Sequence, residues 1–528
     1  MPTLESFLAD LRLEVEDLER GTAIAYWNSS LSGTKESEER AAELATELLS
    51  KYSRPEPLEF LMSLEEPASH DLRRQKRLLI DSFKAHQSSP EIIAELTSRA
   101  MEIETLFSNF RASLRGVEHT DNQLRQIFKE SNDSDLCQEA WDASKQIGAA
   151  AAPKVLELIR LRNSEAKRLG YDNYYAMQIA LQELEEDSLF DLLEQVSNNL
   201  EPHFAAYKAD LDRSLASRFD ITVDQLKPWH YSNPFFQDAP DSEEVAIDSY
   251  FESKDLPSIA TEFFSAIGFD IATLLKIADL YERPGKMQHA YCTSIGRGEH
   301  DVRVLCNIVP NAQWMATTLH EFGHAVYDDL LDDDLPFFLK QVTHMMTTEA
   351  IAELMGRFVN DSHWLQEFAG VPAEDAEKVA LSSRVTHRAH LLIFTQWVLV
   401  MAHFERELYR NPEQDLGALW WDLVERYQHL SRPEGTRSTD WAAKIHLATS
   451  PVYYHNYLLG EMTASQILWA LKRDTGLTDA GLVCSEQVGE WLTEKIFKSG
   501  ARYDWNELLK RATGEPLNPD HYIDGIVD

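Results

Sequence analysis

Met315-Ala-Thr-Thr-Leu-His320-Glu321-Phe-Gly-His324-Ala-Val-Tyr327 is the stretch from which the rest of the chain is read. Met315, Leu319, Phe322 and Val326 recur at helical spacing and predict a helix with one apolar face. His320 and His324 stand four residues apart, so their imidazoles leave the helix side by side. Two adjacent imidazoles share one divalent metal readily, and borderline-soft Zn²⁺ suits them best. Glu321 lies on the next rung, where its carboxylate reaches a water at the metal without being a ligand.

A catalytic zinc takes three protein ligands and keeps one position open. Downstream, Ile351, Leu354, Met355 and Phe358 predict a second helix, with Glu349 at its start and Glu353 one turn later on the same side. Glu349 is the expected third ligand, with one Zn²⁺ per chain. Glu353 is expected to accept the other ring N–H of a ligand histidine and so fix its tautomer.

The chain has 528 residues, 44% of them hydrophobic and 26% charged, which is ordinary for a globular protein. Its formal net charge of −38 argues against binding to nucleic acid phosphates. The opening Met-Pro-Thr-Leu-Glu-Ser lacks a basic n-region and an apolar h-region, and no run is long enough to span a membrane. The sequence therefore predicts no secretory leader and no membrane partner. Cys137, Cys292, Cys306 and Cys484 show no metal or redox spacing and predict a reducing, cytoplasmic setting. Cys292 and Cys306 flank a hairpin, and their pairing stays open.

Residues 1–110 predict long amphipathic helices, with stripes through Phe7, Leu11, Val15 and Leu18 and through Ala41, Leu44, Leu48 and Tyr52. Residues 111–225 continue the pattern, and residues 242–280 return to it after a Pro- and aromatic-rich loop at 227–240. Two β-type runs, 288–295 and 301–309, surround a Gly-containing turn and are the only strands expected. An edge strand beside the metal helix offers free N–H and C=O groups for pairing with an extended peptide. The apolar run 391–401 predicts a buried core helix, and His387 and His390 predict surface residues. Between Trp441 and Glu461, polar aromatics cluster on both sides of a turn containing Pro451. Tyrosine hydroxyls and an imidazole N–H suit an oxyanion, and Lys444 suits a carboxylate. A helix start whose tyrosines pack in the core accounts for the same composition equally well.

At these residues the sequence resembles a superfamily of zinc peptidases that includes the angiotensin-converting-enzyme and thimet oligopeptidase (oligoendopeptidase) families. His-Glu-Phe-Gly-His is the oligopeptidase wording of the metal motif. Glu349-Ala-Ile and the early Ala25-Tyr26-Trp27-Asn28 are closer to the converting enzymes. The resemblance covers most of the chain from about residue 225 and is weaker in the N-terminal helices. It implies a mainly α fold, with two helical lobes flanking a deep substrate channel and a small β-sheet next to the zinc helix. The whole of 1–528 would be one metallopeptidase catalytic unit, with 1–110 an N-terminal helical lid region and 225–528 the motif-bearing part. By resemblance, His320, His324 and Glu349 bind zinc and Glu321 is the general base. His289-Ala290 lies on the strand that pairs with substrate. Lys444 holds a C-terminal carboxylate, while His446 and Tyr457 stabilise the oxyanion. Tyr453 or Tyr454 falls near the carboxylate or the oxyanion.

Two departures from the converting enzymes stand out. Their chloride-binding arginine is replaced by His455 or Asn456, and the cysteine before their His-Ala is Gln288. The expected function is zinc-dependent hydrolysis of short peptides, by release of C-terminal dipeptides or by internal cleavage. The alternative is a peptide-binding protein that keeps the channel without the chemistry. Oligomeric state is left open.

Overall fold

The computed structural model describes residues 3–240, 247–436 and 438–527. Helices dominate, and the strands form two small antiparallel hairpins. No described helix is long and apolar enough to cross a membrane. The chain forms two compact units, one from Met1–Gln87, Glu244–Ser383 and Leu459–Tyr522, the other from Ser88–Glu243, Arg384–Leu458 and Ile523–Asp528.

In the first unit, the helix Ala312–Asp329 carries the metal motif. Asn311 caps it by accepting the Trp314 N–H at 2.8 Å. The predicted face is the one that is buried, because Met315, Leu319, Phe322 and Val326 all enter the core. Beside it packs the helix Met345–Arg357, which buries Ile351, Leu354 and Met355 in the same core. That helix begins earlier than the sequence suggests. His344 caps it, and Glu349 sits one turn inside rather than at the start.

The N-terminal helices are as expected, with a shifted stripe. In the first half of Leu4–Ser32 the buried residues are Leu4, Leu8, Leu11 and Val15, which pack with Leu61, Leu79 and Phe83. Trp27, from the early motif, packs on Ile295 and Leu305.

The expected hairpin is present but shorter, with Tyr291–Ser294 paired to Val302–Leu305. Both strands contact the metal helix. The backbone before Tyr291 leaves the ladder because Asn307 Nδ2 takes the carbonyls of Met287 and Gln288, each at 3.0 Å. His289 and Ala290 therefore lie in a bend ahead of the strand, not on it. On the other side of Val302–Leu305, the Asp279 N–H donates to the Val304 carbonyl at 2.8 Å, and the Cys306 N–H donates to the Asp279 carbonyl at 2.9 Å. Tyr291–Ser294 is thus the outer strand. Cys292 stands opposite Val304, and both Cys292 and Cys306 are free thiols.

A second hairpin, Ala112–Leu114 with Val117–His119, corrects the expectation of one pair of strands. Its turn is Arg115-Gly116, both with positive φ (53° and 77°), as a tight two-residue hairpin requires. Residues 242–246 fall outside those described. Beyond them the expected helical stretch comprises Leu256–Ala266 and Ala272–Ile277. In the second unit, the long helices Gln146–Arg168 and Glu186–Phe219 bury Val155, Leu158, Ile159, Leu193, Val196 and Leu200. Of the apolar run 391–401, Leu391, Leu392, Ile393 and every residue from Trp397 to Met401 are buried. His387 is exposed, while His390 is half-buried with its ring stacked on Phe394 at 5.4 Å.

Candidate metal centre

His320, His324 and Glu349 each offer one ligand atom, and these atoms all lie within 4.8 Å of one another. His320 Nε2 is 3.6 Å from Glu349 Oε1, and His324 Nε2 is 3.6 Å from Glu349 Oε2. The two rings are nearly perpendicular, with centroids 4.9 Å apart. One nitrogen from each ring thus faces the same carboxylate. Burial pushes the His320 imidazole down to about 4 and the His324 imidazole down to about 3, the latter helped by His320. Both rings are therefore neutral at pH 7, the form in which imidazole ligates metal.

Of the remaining nitrogens, that of His324 is hydrogen-bonded, whereas that of His320 lies beyond hydrogen-bond distance of Glu353, its expected acceptor. His324 Nδ1 lies 2.7 Å from Thr348 Oγ1, and His320 Nδ1 lies 3.8 Å from Glu353 Oε1. The acids around the rings strain against ionisation. Burial, then the charge of Glu349, pushes the Glu321 carboxyl up to about 8. Glu353 is pushed up to about 7 by burial and by Glu461, and Glu349 is raised by the same two causes in the same order. Arg357, itself paired with Glu461, is the cation that opposes this. A divalent cation among these groups would relieve the crowding of negative charge.

Gly323 sets how closely the two helices approach. A Cβ there would meet Ala352 Cα at 3.0 Å and Met355 Cγ at 3.1 Å. Glycine fits this approach without any shift of the neighbouring helix, whereas a larger residue would need Ala352 or Met355 to give way by a few tenths of an ångström. The sequence assigns no site role to Gly323, Thr348, Arg357 or Glu461. Arg357 follows Glu353 by one helical turn, and that i,i+4 pairing was a usable signal. Thr348 and Gly323 carried none, since their roles depend on the helix–helix contact.

The remaining predicted residues belong elsewhere in the first unit or to the second. In the first unit, His289 and Ala290 precede the outer strand. In the second, Lys444 Nζ donates to Gln237 Oε1 at 2.6 Å. It lies 5.1 Å from the Trp397 ring centroid, 5.4 Å from that of Phe235 and 5.7 Å from that of Tyr454. Burial lowers this ammonium to about 8. The His446 ring stands 5.1 Å from that of Tyr454, and its buried Nδ1 has no hydrogen-bond partner. Burial, then Lys444, lowers His446 to about 4. Tyr457 is 38% exposed and makes edge contacts with Tyr453 at 5.1 Å and Tyr454 at 5.6 Å, whereas Tyr454 is buried. Asn456 Nδ2 donates to Gln182 Oε1 at 2.7 Å, and the His455 ring lies 3.2 Å from the same oxygen.

Comparison with known proteins adds relatives. Carboxypeptidase 1 of Bacillus subtilis is 28% identical over 261 residues, covering 45% of this chain and 51% of that protein. The inactive angiotensin-converting enzyme-related protein of Caenorhabditis elegans is 21% identical over 429 residues, covering 74% of this chain and 47% of that protein. Thermostable carboxypeptidase 1 of Pyrococcus furiosus is 21% identical over 474 residues, covering 82% and 86%. The chain thus spans about half the length of the first two, and most of the third. The M2 peptidase family profile, described as angiotensin-converting enzyme, matches residues 2–518. With a match over nearly its whole length, this chain belongs to the angiotensin-converting enzyme family of peptidases.

Proposed function

We propose that the chain is a zinc-dependent peptidase that acts on short peptides and releases small pieces from their C-terminal ends. One observation carries the reading: two neutral imidazoles and a carboxylate converge within 4.8 Å, with a buried carboxyl, Glu321, beside them. Two nitrogens and one oxygen are the donor set of a catalytic zinc site with a position left for solvent. Zn²⁺ held there would supply Lewis acidity to a scissile carbonyl and lower the pKa of a water.

The chain's own residues supply the rest. Glu321, buried beside the three candidate ligands, takes the proton of the attacking water in its ionised form, which a cation at the site would favour. It then delivers that proton to the leaving amine. The His324 ring is oriented by Thr348, and Glu353 stands 3.8 Å from the His320 ring, where a small shift on metal binding would bring it into hydrogen-bond reach. His446 and Tyr457 donate to the oxyanion that develops on the carbonyl, each worth about 2–4 kcal/mol. Lys444 binds the substrate's terminal carboxylate, and His289-Ala290 with the outer strand takes the extended substrate backbone. The names of two relatives, both carboxypeptidases, favour action from the C-terminus over internal cleavage.

One relative is named inactive, which raises the reading of a silent peptide binder. Glu321 favours catalysis, because binding alone gives no reason to bury a base beside three metal ligands. The test is Glu321→Gln. The variant is expected to bind zinc as the wild type does, by atomic absorption, and to cleave nothing. Wild-type turnover is expected to vanish with chelator and return with zinc. A zinc-loaded wild type that is inert toward a peptide mixture, or a Glu321→Gln variant that still cleaves, overturns the reading.

A further inference from the structure

The turn from Ile445 to Val452, which carries His446, is held by two buried side chains and one half-buried side chain from three other parts of the second unit. Arg162, on Gln146–Arg168, donates from Nη1 to the Leu447 carbonyl at 3.1 Å and from Nη2 to the Ala448 carbonyl at 2.6 Å. Its Nη1 also lies 3.0 Å from the Tyr409 hydroxyl. Glu405, 2% exposed on Ala373–Arg410, accepts the Val452 N–H at 2.9 Å. Gln182, at the end of Tyr174–Leu181, donates to the Val452 carbonyl at 3.1 Å.

Val452 is the odd residue in this turn. Its φ is +56°, a left-handed conformation that a β-branched side chain strongly disfavours. Both of its backbone polar groups are taken by side chains, so the strain is imposed from outside. A buried guanidinium and a buried carboxyl are also costly to keep in a protein interior. Packing alone does not require two such groups to converge on one turn of eight residues. Within that turn His446 Nδ1 has no partner, so no hydrogen bond at that nitrogen orients the ring, and its placement depends on the backbone that bears it and on the contact with the Tyr454 ring.

We propose that Arg162 and Glu405 are positioning residues that hold the turn Ile445–Val452 in its strained form and thereby aim His446. The proposal rests on the reading of His446 as a group that acts on substrate.

The test uses the zinc-loaded full chain. Glu405→Gln keeps an acceptor for the Val452 N–H, whereas Glu405→Met keeps the length and deletes the acceptor. Arg162→Met and the milder Arg162→Lys probe the other anchor. Glu405→Met and Arg162→Met are expected to lower kcat roughly 10–100-fold with KM within about threefold, the signature of a misplaced catalytic group. Glu405→Gln is expected to stay within about threefold of wild type. Adding Val452→Gly to Glu405→Met is expected to restore about tenfold, since glycine adopts the left-handed conformation freely. Hydrogen exchange followed by mass spectrometry is expected to quicken at 445–453 in Glu405→Met and Arg162→Met, with 312–329 unchanged. Wild-type kcat in Glu405→Met, equal damage in Glu405→Gln, or unchanged exchange at 445–453 overturns the proposal. An inert wild type refutes the peptidase reading instead, and the exchange measurement still tests whether the two residues hold the turn.

Discussion

Thr348 Oγ1 lies 2.7 Å from Nδ1 of His324, and Thr348 is the residue before Glu349. One helix therefore carries both a carboxylate of the candidate metal site and a hydroxyl that hydrogen-bonds a histidine of the neighbouring helix. With Nδ1 engaged, His324 presents Nε2 toward Glu349 Oε2, 3.6 Å away. Thr348→Val keeps the shape and removes the hydroxyl. Zinc affinity, measured by competition with a chelator of known strength, is expected to fall about tenfold. Unchanged affinity would mean that packing alone sets the His324 ring.

Gly323 makes the second prediction. Alanine in a helix interior normally gains about 1 kcal/mol over glycine. Here its Cβ would lie 3.0 Å from Ala352 Cα, a backbone atom that moves only with its helix. Overpacking of this kind costs about 1–3 kcal/mol and outweighs the propensity gain. Gly323→Ala is expected to lower the melting temperature by several degrees and to weaken zinc binding, because Glu349 and Ala352 share a helix. A variant more stable than wild type would show that the two helices separate without cost.

How far the sequence reaches is clearest at this pair of helices. Spacing within one helix is legible, because 3.6 residues per turn puts His320 beside His324 and Glu349 beside Glu353 before any tertiary contact forms. The buried face Met315, Leu319, Phe322 and Val326 was legible for the same reason. What escaped depends on contact between elements. Gly323 matters because of Ala352, Thr348 because of His324, and Glu461 because of Arg357. The hairpin Ala112–His119 escaped because three-residue strands are too short to show alternation, and only Arg115-Gly116 marks its turn. The strand expected from residue 288 was too long because a side chain, Asn307, takes the carbonyls that a ladder would have used.

His230 makes a pH prediction. The Lys227 N–H donates to its Nδ1 at 2.8 Å, and its Nε2 lies 2.8 Å from Ser134 Oγ. A proton on Nδ1 would have to displace that amide. Burial lowers the imidazole to about 4, against an ordinary 6.5. Between those values the unfolded chain binds a proton that the folded chain refuses, so stability rises with pH there. The contribution of His230 is thus intact above pH 6.5 and declines as the pH falls toward 4, with a total loss of ~3 kcal/mol. His230→Asn, whose Oδ1 can still accept the amide, is expected to be less stable at pH 7 and to lose less on acidification to pH 4.5. Urea unfolding at the two pH values measures the difference. Exchange at the imidazole C2–H, read by mass spectrometry, gives the pKa directly, and a value near 6.5 would contradict the argument.

Lys444 makes the last prediction. Its ammonium is buried against the rings of Phe235, Trp397 and Tyr454, and its hydrogen-bond partner is the neutral side chain of Gln237. Among the described residues no carboxylate lies within ion-pair distance of it, and burial has already lowered it to about 8. A cation kept in such surroundings gains most from an anion that arrives with the substrate, because a charge-assisted hydrogen bond is strong where water is excluded. Such a bond is worth about 1.5–3 kcal/mol, or roughly 10–100-fold in affinity. Lys444→Met is therefore expected to raise KM by that factor for peptides with a free C-terminus. C-terminally amidated peptides are expected to be poor substrates of the wild type and to be unaffected by the substitution. The size of the effect should also fall as the pH rises through about 8, where the ammonium itself loses its proton. Equal KM values for free and amidated peptides in the wild type would remove Lys444 from substrate binding and leave it a buried structural cation.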